Sequence, residues 1–471
     1  MTRLSVLFAI LLLAGCSLHT PVKVALSVET PPAYLEHQAV DEPGLRLDQW
    51  WLVFNDGHLN RLVEELFEQN LDLFQSIARL QQVEATFAMT RSAQSPVLTV
   101  GGNLSRSQQP GLAGNFTGNN RQLSLAAGYE LDLWGKLAAQ SRASELELSA
   151  SRQDVQTLYL GLSARLTDLY FFAVEQRAQL ALTDQTIASF ADTLGRVENR
   201  YSLGLVPAVD MYQARQSLAG AQAARYRFET NLAEAEHAIA VLVGRYPERN
   251  PGGDLGQLPD APVLFSAGIP ADLISQRPDL RAALRRVEAA DARVAIAIAD
   301  RFPSISFSGG YGSLRQDVTA GLIKGEFWSL LGNLALPIVD GGRRRAEVDK
   351  KEAALREAVA NYQQKVLLAF QEVEDALVNN FATEQRVKRL VETAQATAAT
   401  LRLSTDRYLS GLVDYLPVLT AQRIDFDISS RLLAARRQLL ADRISLARAL
   451  GGDWMQGKMD LRLQIEKDKN R

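Results

Sequence analysis

Cys16 is the single cysteine among 471 residues and the one side chain here with a clear chemical option. Alone, it forms no intrachain disulfide, so its thiol is left for modification. Arg3 makes a short basic start, Leu4 to Leu13 is apolar, and Leu13-Ala14-Gly15 lead into Cys16. The apolar run is too short to cross a bilayer, and small residues before a cysteine suit a signal peptidase. Other reactive residue types are dispersed. His19, His37, His58 and His237 lack metal-ligand spacing, and the five methionines do not cluster. Neither a phosphate-cradling glycine loop nor a Gly-x-Ser-x-Gly elbow occurs. Catalysis, a metal site and a cofactor are therefore not expected.

Leu-Ala-Gly-Cys resembles the bacterial lipobox. That resemblance implies loss of 1–15 as a signal peptide and a diacylglycerol on Cys16; the alternative is an ordinary secretory signal with an incidental cysteine. Ser17 rather than aspartate after Cys16 favours the outer membrane. With 51 basic and 54 acidic residues the net charge is −3, which lacks the basic excess of a nucleic-acid binder. Arg343-Arg344-Arg345 reads as a solvated helix start near headgroups, with Asp340 as a cap offsetting cations at the positive end of the helix dipole. Mean hydropathy is −0.09. No later run approaches the roughly 20 apolar residues of a membrane helix, so any membrane-spanning part must be made of strands.

The elements that position these features come twice, at an offset of 207 residues. Asp72-Leu73 recurs as Asp279-Leu280, Pro96 as Pro303, Gly135 as Gly342, Gly204-Leu205-Val206 as Gly411-Leu412-Val413, and Gly244 as Gly451. Such a repeat builds internal pseudo-symmetry. Helical periodicity runs from about Asp56 to Ala93. Four segments then alternate with period two, at about 96–106, 121–131, 303–313 and 326–337, each near the length of a tilted membrane strand. Leu98, Val100, Leu123, Leu125, Ile305, Phe307, Trp328 and Leu330 fall on one face. Thr99, Ser124, Ser306 and Ser329 fall on the other, which is uncharged apart from Glu130. Polar loops are expected at 106–120 and 313–325.

A proline-free helical stretch follows each hairpin, over 136–200 and 343–408, with heptad spacing at Ile187, Phe190, Leu194, Val197 and Tyr201 and again at Val366, Phe370, Val373 and Leu377. Each ends at a glycine turn, 202–207 and 409–414, and a second helix returns, 208–244 and 415–450. The expected divisions are 1–15 signal peptide, 16–55 tether and equatorial segment, 56–244 first repeat, 245–276 linker, 277–452 second repeat and 453–471 tail. Four strands cannot close a barrel, and open edges are not tolerated in lipid, so copies must pool strands: three chains give twelve, whereas two give a barrel too narrow for a lumen. The fold class is an α+β membrane protein: a homotrimeric 12-stranded outer-membrane β-barrel continued by a periplasmic α-helical coiled-coil barrel.

The chain resembles the TolC-type outer-membrane factor family, in its lipidated branch that serves resistance–nodulation–division (RND) efflux. The resemblance rests on Trp50-Trp51-x-x-Phe54-x-Asp56, on Ile269 to Ala283 with its Gln276-Arg277-Pro278-Asp279-Leu280-Arg281 centre, on Tyr129 to Lys136 and Pro337 to Arg343, and on Arg407-Tyr408-x-x-Gly411 with Ala421-Gln422-Arg423. It implies a trimer whose periplasmic end is closed at rest, and an equatorial belt from 17–55, 245–276 and the tail. It also implies two protein partners, a periplasmic membrane-fusion adaptor at the tips and an inner-membrane RND transporter that supplies energy and selects cargo. The alternatives are an outer channel for type I protein secretion and a lipid-anchored periplasmic coiled-coil scaffold without a pore.

By that resemblance the aperture would be narrowed by Val209, Asp210 and Gln213 in the first copy and by Leu416, Pro417 and Thr420 in the second. Thr420 stands where many relatives have aspartate, so Asp210 or Asp414 would supply the acidic ring. The other reading makes Val209 and Leu416 ordinary coiled-coil core. Gly204 and Gly411 are expected in the left-handed conformation that ends helices. With Leu205, Val206, Leu412 and Val413 they would present the adaptor contact.

Overall fold

The computed structural model describes residues 19–20, 30–35, 49–111, 114–250, 257–265, 270–318 and 321–452. Cys16, the signal peptide 1–15 and the tail 453–471 lie outside these residues. The described residues within 1–27, 78–153 and 281–365 form one packed unit, and those within 28–77, 154–280 and 366–471 form another. Among the described residues no helix is long and apolar enough to cross a membrane.

The first unit holds the strands. β1 (Val97–Gly111), β2 (Gly114–Leu131), β3 (Ser304–Val318) and β4 (Gly321–Ala335) make one antiparallel sheet in the order β1-β2-β3-β4. The two hairpins are joined directly, β2 against β3. Directly opposed residues share a face, and one such row reads Val100–Leu125–Tyr311–Trp328, the next Leu98–Ala127–Gly309–Leu330. The apolar face expected from alternation is therefore continuous across all four strands. Gly312 on the other face leaves room for Phe327, whose ring would lie 2.8 Å from a Cβ placed there.

The expected polar loops at 106–120 and 313–325 are for the most part strand. Ladder pairing continues to Gly111–Gly114 and Val318–Gly321. Gln, Asn, Ser and Thr in these stretches resemble loop by composition, yet two such strands satisfy each other's backbone groups wherever water solvates the side chains. Beyond the sheet, Asp132 accepts hydrogen bonds from the backbone N–H groups of Leu137 at 3.0 Å and Ala138 at 2.7 Å, opening α3 (Lys136–Ser202). Asp340 accepts from Gly342 at 3.1 Å and Arg344 at 3.2 Å where α7 (Arg343–Leu409) begins, so it is the cap expected from sequence.

The second unit contains α1 (Gly57–Gln69), the start of α2 (Leu71–Ser92), α4 (Ala208–Leu242), α5 (Pro270–Gln276), α8 (Tyr415–Leu450) and the C-terminal parts of α3 and α7; α6 (Pro278–Ala299) belongs largely to the first. The single helix expected over 56–93 is two helices, because Asn70 takes an extended backbone between them. Its Oδ1 accepts from the Leu73 N–H at 2.9 Å, and its Nδ2 donates to the Leu242 carbonyl at 2.7 Å. Arg277 stands 207 residues later and donates to the Ala449 carbonyl at 3.0 Å, to Glu372 at 2.7 Å, and through two nitrogens to Asp279 at 3.0 and 2.8 Å. Trp50, Trp51 and Phe54 are buried, with Phe54 edge-on to Phe171 at 4.8 Å. Phe190 and Val197 of the first heptad seam are buried, as are Val366, Val373 and Leu377 of the second, but Tyr201 is exposed.

Candidate functional site

The two helix-to-helix turns share one construction. In the first, the N–H of Leu205 donates to the Arg200 carbonyl at 2.9 Å and that of Gly204 to the Tyr201 carbonyl at 2.9 Å. In the second, Leu412 donates to Arg407 at 2.9 Å and Gly411 to Tyr408 at 3.0 Å. This nested pair of bonds ties up the last carbonyls of α3 and α7 and needs a left-handed residue at its centre. Gly204 (φ 69°) and Gly411 (φ 72°) supply it.

Beneath the turns lies a shared core of Val197, Ala214, Tyr408, Tyr415, Val418 and Leu419, with Leu194, Val206, Met211 and Val413 packed against it. Val206 and Val413 therefore point largely inward. The tips instead present Leu205 and Leu412, which are 63% and 74% exposed. Of the residues expected at the aperture, Val209 and Leu416 are 54% and 58% exposed, so within one chain they do not belong to the coiled-coil core. Asp414 and Thr420 are exposed, while Asp210 and Gln213 are half-buried. The Thr420 hydroxyl donates to the Leu416 carbonyl at 2.9 Å and so is turned back onto its own helix.

The two tips are locked together asymmetrically. The Arg200 guanidinium lies 4.7 Å from the centre of the Tyr408 ring and also donates to the Tyr408 carbonyl at 3.2 Å. Tyr408 stands 6.0 Å from Tyr415, centre to centre. Burial, with smaller contributions from Tyr408 and Asp210, pushes the Tyr415 phenol up to about 12. Burial and then the Asp414 carboxylate push the Asp210 carboxyl above its ordinary value. Asp210 and Asp414 thus feel each other across the junction of the two copies. The sequence reading places Tyr415 at the tips but assigns no role there to it or to Arg200. The available signal was the mismatch between copies, since Tyr415 occupies the position of Ala208 and Pro417 that of Asp210. Among the described residues no group of three or more His, Cys, Asp or Glu is arranged to hold a metal ion.

The family pattern described as "Outer membrane efflux protein" matches residues 62–245 and 269–452. The chain is 30% identical to outer membrane protein OprJ of Pseudomonas aeruginosa, with 96% of each chain covered. It is 27% identical to a probable outer membrane lipoprotein, SilC, of Salmonella typhimurium, over 95% of this chain and 98% of that one. The solved outer-membrane channel OprN superposes with a TM-score of 0.84 at 27% identity, covering 93% of this chain and all of the other.

Proposed function

The chain belongs to the outer membrane efflux protein family, and on that premise we propose that three copies of it form the exit duct of a tripartite efflux system. It is an outer-membrane channel of the RND efflux type. The observation that carries the trimer is the sheet. It has four strands in sequence order, a continuous apolar face, and β1 and β4 as its edges. An edge strand in hydrocarbon leaves backbone N–H and C=O groups unsatisfied at several kcal/mol each, so it must find a partner. Pairing β4 of one copy with β1 of the next closes twelve strands around a water-filled lumen. Leu98, Val100 and Leu125 then face lipid, while Thr99 and Ser124 face water.

The helices that follow β2 and β4 in the chain carry the duct into the periplasm as a coiled-coil barrel. Its closed end is formed by rings of Leu416, Val209 and the Asp210–Asp414 pair, with Gln213 and Thr420 one step further along. Leu205 and Leu412, with Gly204 and Gly411, are the surface offered to a periplasmic membrane-fusion adaptor. The adaptor joins the duct to an inner-membrane RND transporter that energises export. A diacylglycerol on Cys16 anchors the N-terminus in the outer membrane, a reading supported by the lipoprotein name of the Salmonella relative. Single cysteines at 98, 100 and 125 should resist aqueous thiol reagents, and those at 99 and 124 should react. Equal labelling of the two sets would refute the barrel.

A further inference from the structure

Toward the hairpin tips the apolar face gives way to rows that carry charge. Arg121 of β2 lies directly opposite Arg315 of β3, which lies directly opposite Lys324 of β4. Leu104 completes the row on β1. Like charges directly opposed on neighbouring strands repel, and three in succession call for an external anion. All three side chains are exposed. Among the described residues none of them is hydrogen-bonded, and the carboxylate that Arg315 and Arg121 feel is Asp317 in the next row. The acids of the adjoining rows make their hydrogen bonds elsewhere, and two carboxylates beside three cations leave a positive surplus. Asp317 accepts from the backbone N–H and Nδ2 of Asn119 at 3.2 and 2.8 Å, and Glu326 accepts from the Tyr311 hydroxyl at 2.8 Å.

Position along the strand identifies the occupant. The row shares its face with Leu123, Leu125, Tyr311 and Trp328, the face that the trimer reading turns toward lipid. It lies on the hairpin-tip side, away from the strand ends that lead into the helices. From Leu131, where the apolar face begins, to Arg121 is ten residues. That is about 33 Å along a strand, and about 25 Å of height once the strand tilts by about 40°, equal to the apolar band of a membrane barrel. The cations thus fall at the level of the outer-leaflet phosphates.

We propose that Arg121, Arg315 and Lys324 form a binding site for the phosphorylated headgroup of an outer-leaflet glycolipid, repeated on each protomer of the barrel. The site rests on the trimeric-barrel reading. The test uses the detergent-purified full-length protein, with diphosphoryl lipid A as probe and its dephosphorylated form as control. Binding is measured by thermophoresis, alongside single-channel conductance. The wild-type chain should prefer the phosphorylated lipid. The triple variant Arg121→Gln, Arg315→Gln, Lys324→Gln should weaken that binding roughly fivefold per cation, on the order of a hundredfold in all, with conductance unchanged. The charge-conserving variant R121K, R315K, K324R should retain it. Equal binding of both lipids by a conducting wild-type trimer overturns the site and leaves the channel standing, as does displacement of the lipid by equimolar inorganic phosphate. A wild-type chain that forms no conducting pore overturns both.

Discussion

Asn70 and Arg277, exactly one repeat apart in the chain, make the same bond with different chemistry: each donates from its side chain to a carbonyl near the C-terminal end of its own copy's return helix, Leu242 and Ala449. The amide clasps with one bond, and the guanidinium adds Glu372 and Asp279. Arg277→Ala leaves a buried carbonyl and two carboxylates without their cation. With both acids partly solvated, the expected loss is about 2–3 kcal/mol. Asn70→Ala should cost about 1–2 kcal/mol through the lost helix cap and carbonyl bond. Chemical denaturation of the detergent-solubilised protein measures both, and an inverted order would contradict the clasp.

The glycines after those carbonyls differ in how tightly they are held. Gly244 and Gly451 both have positive φ, 86° and 78°. A Cβ on Gly244 would meet the Gln69 carbonyl oxygen at 2.6 Å, whereas one on Gly451 would first meet the Arg277 side chain at 2.9 Å. Backbone cannot swing aside as a side chain can. Gly244→Ala should therefore destabilise by about 1–2 kcal/mol more than Gly451→Ala, measured by the same denaturation experiment.

At the tips, Arg200 ties the first turn to the second through both a ring contact and a carbonyl bond. Removing it with Arg200→Ala should cost about 1–2 kcal/mol and raise the ratio of open to closed states some 5- to 30-fold in planar-bilayer recordings. Leu416→Ala, which trims an exposed apolar side chain without touching that lock, should also raise open probability. If neither does, the tips are not the gate.

In the proposed tip closure, Asp210 brings a pH dependence whose sign follows from its raised carboxyl value. The packed tip binds the Asp210 proton more tightly than an opened tip in which the residue is solvated. Charge on Asp210 therefore works against packing at neutral pH. That penalty is relieved as pH falls through the raised value toward the ordinary carboxylate value of 3.8. Acidification should lower open probability in the wild type, and Asp210→Asn should flatten the response. Opening on acidification would reverse the assignment.

The two faces of the sheet should differ in their tolerance of charge. Leu125→Arg places a cation in mid-bilayer, at about 2–4 kcal/mol per copy, and should abolish recovery of trimers from outer-membrane fractions. Ser124→Arg, one residue away and facing water, should assemble and alter conductance instead.

Much of this architecture was legible because the repeat preserves residues whose geometry allows few substitutes. Gly204 and Gly411 mark left-handed turns, and period-two alternation marks the sheet faces. The full extent of the strands was not legible, since Gln, Asn, Ser and Thr in a solvated ladder have the composition of loop. Nor was the clasp, because Asn70 and Arg277 share a job and not a side chain. At the tips, Val206 and Val413 looked equivalent to their leucine neighbours in sequence. The turn geometry packs the valine of each pair against the core and exposes the leucine.

The open edges of the four-stranded sheet carry a genetic consequence. In the trimeric barrel proposed above, a lone protomer would have an uncovered apolar face in water and unsatisfied backbone in lipid, so insertion and association would be one concerted event. A copy with a damaged β1 or β4 edge is then worse than absent, because it occupies a place in a ring that it cannot close. Where intact and edge-damaged copies are made in equal amounts and mix freely, only about one trimer in eight is wholly intact. Such alleles should behave as dominant.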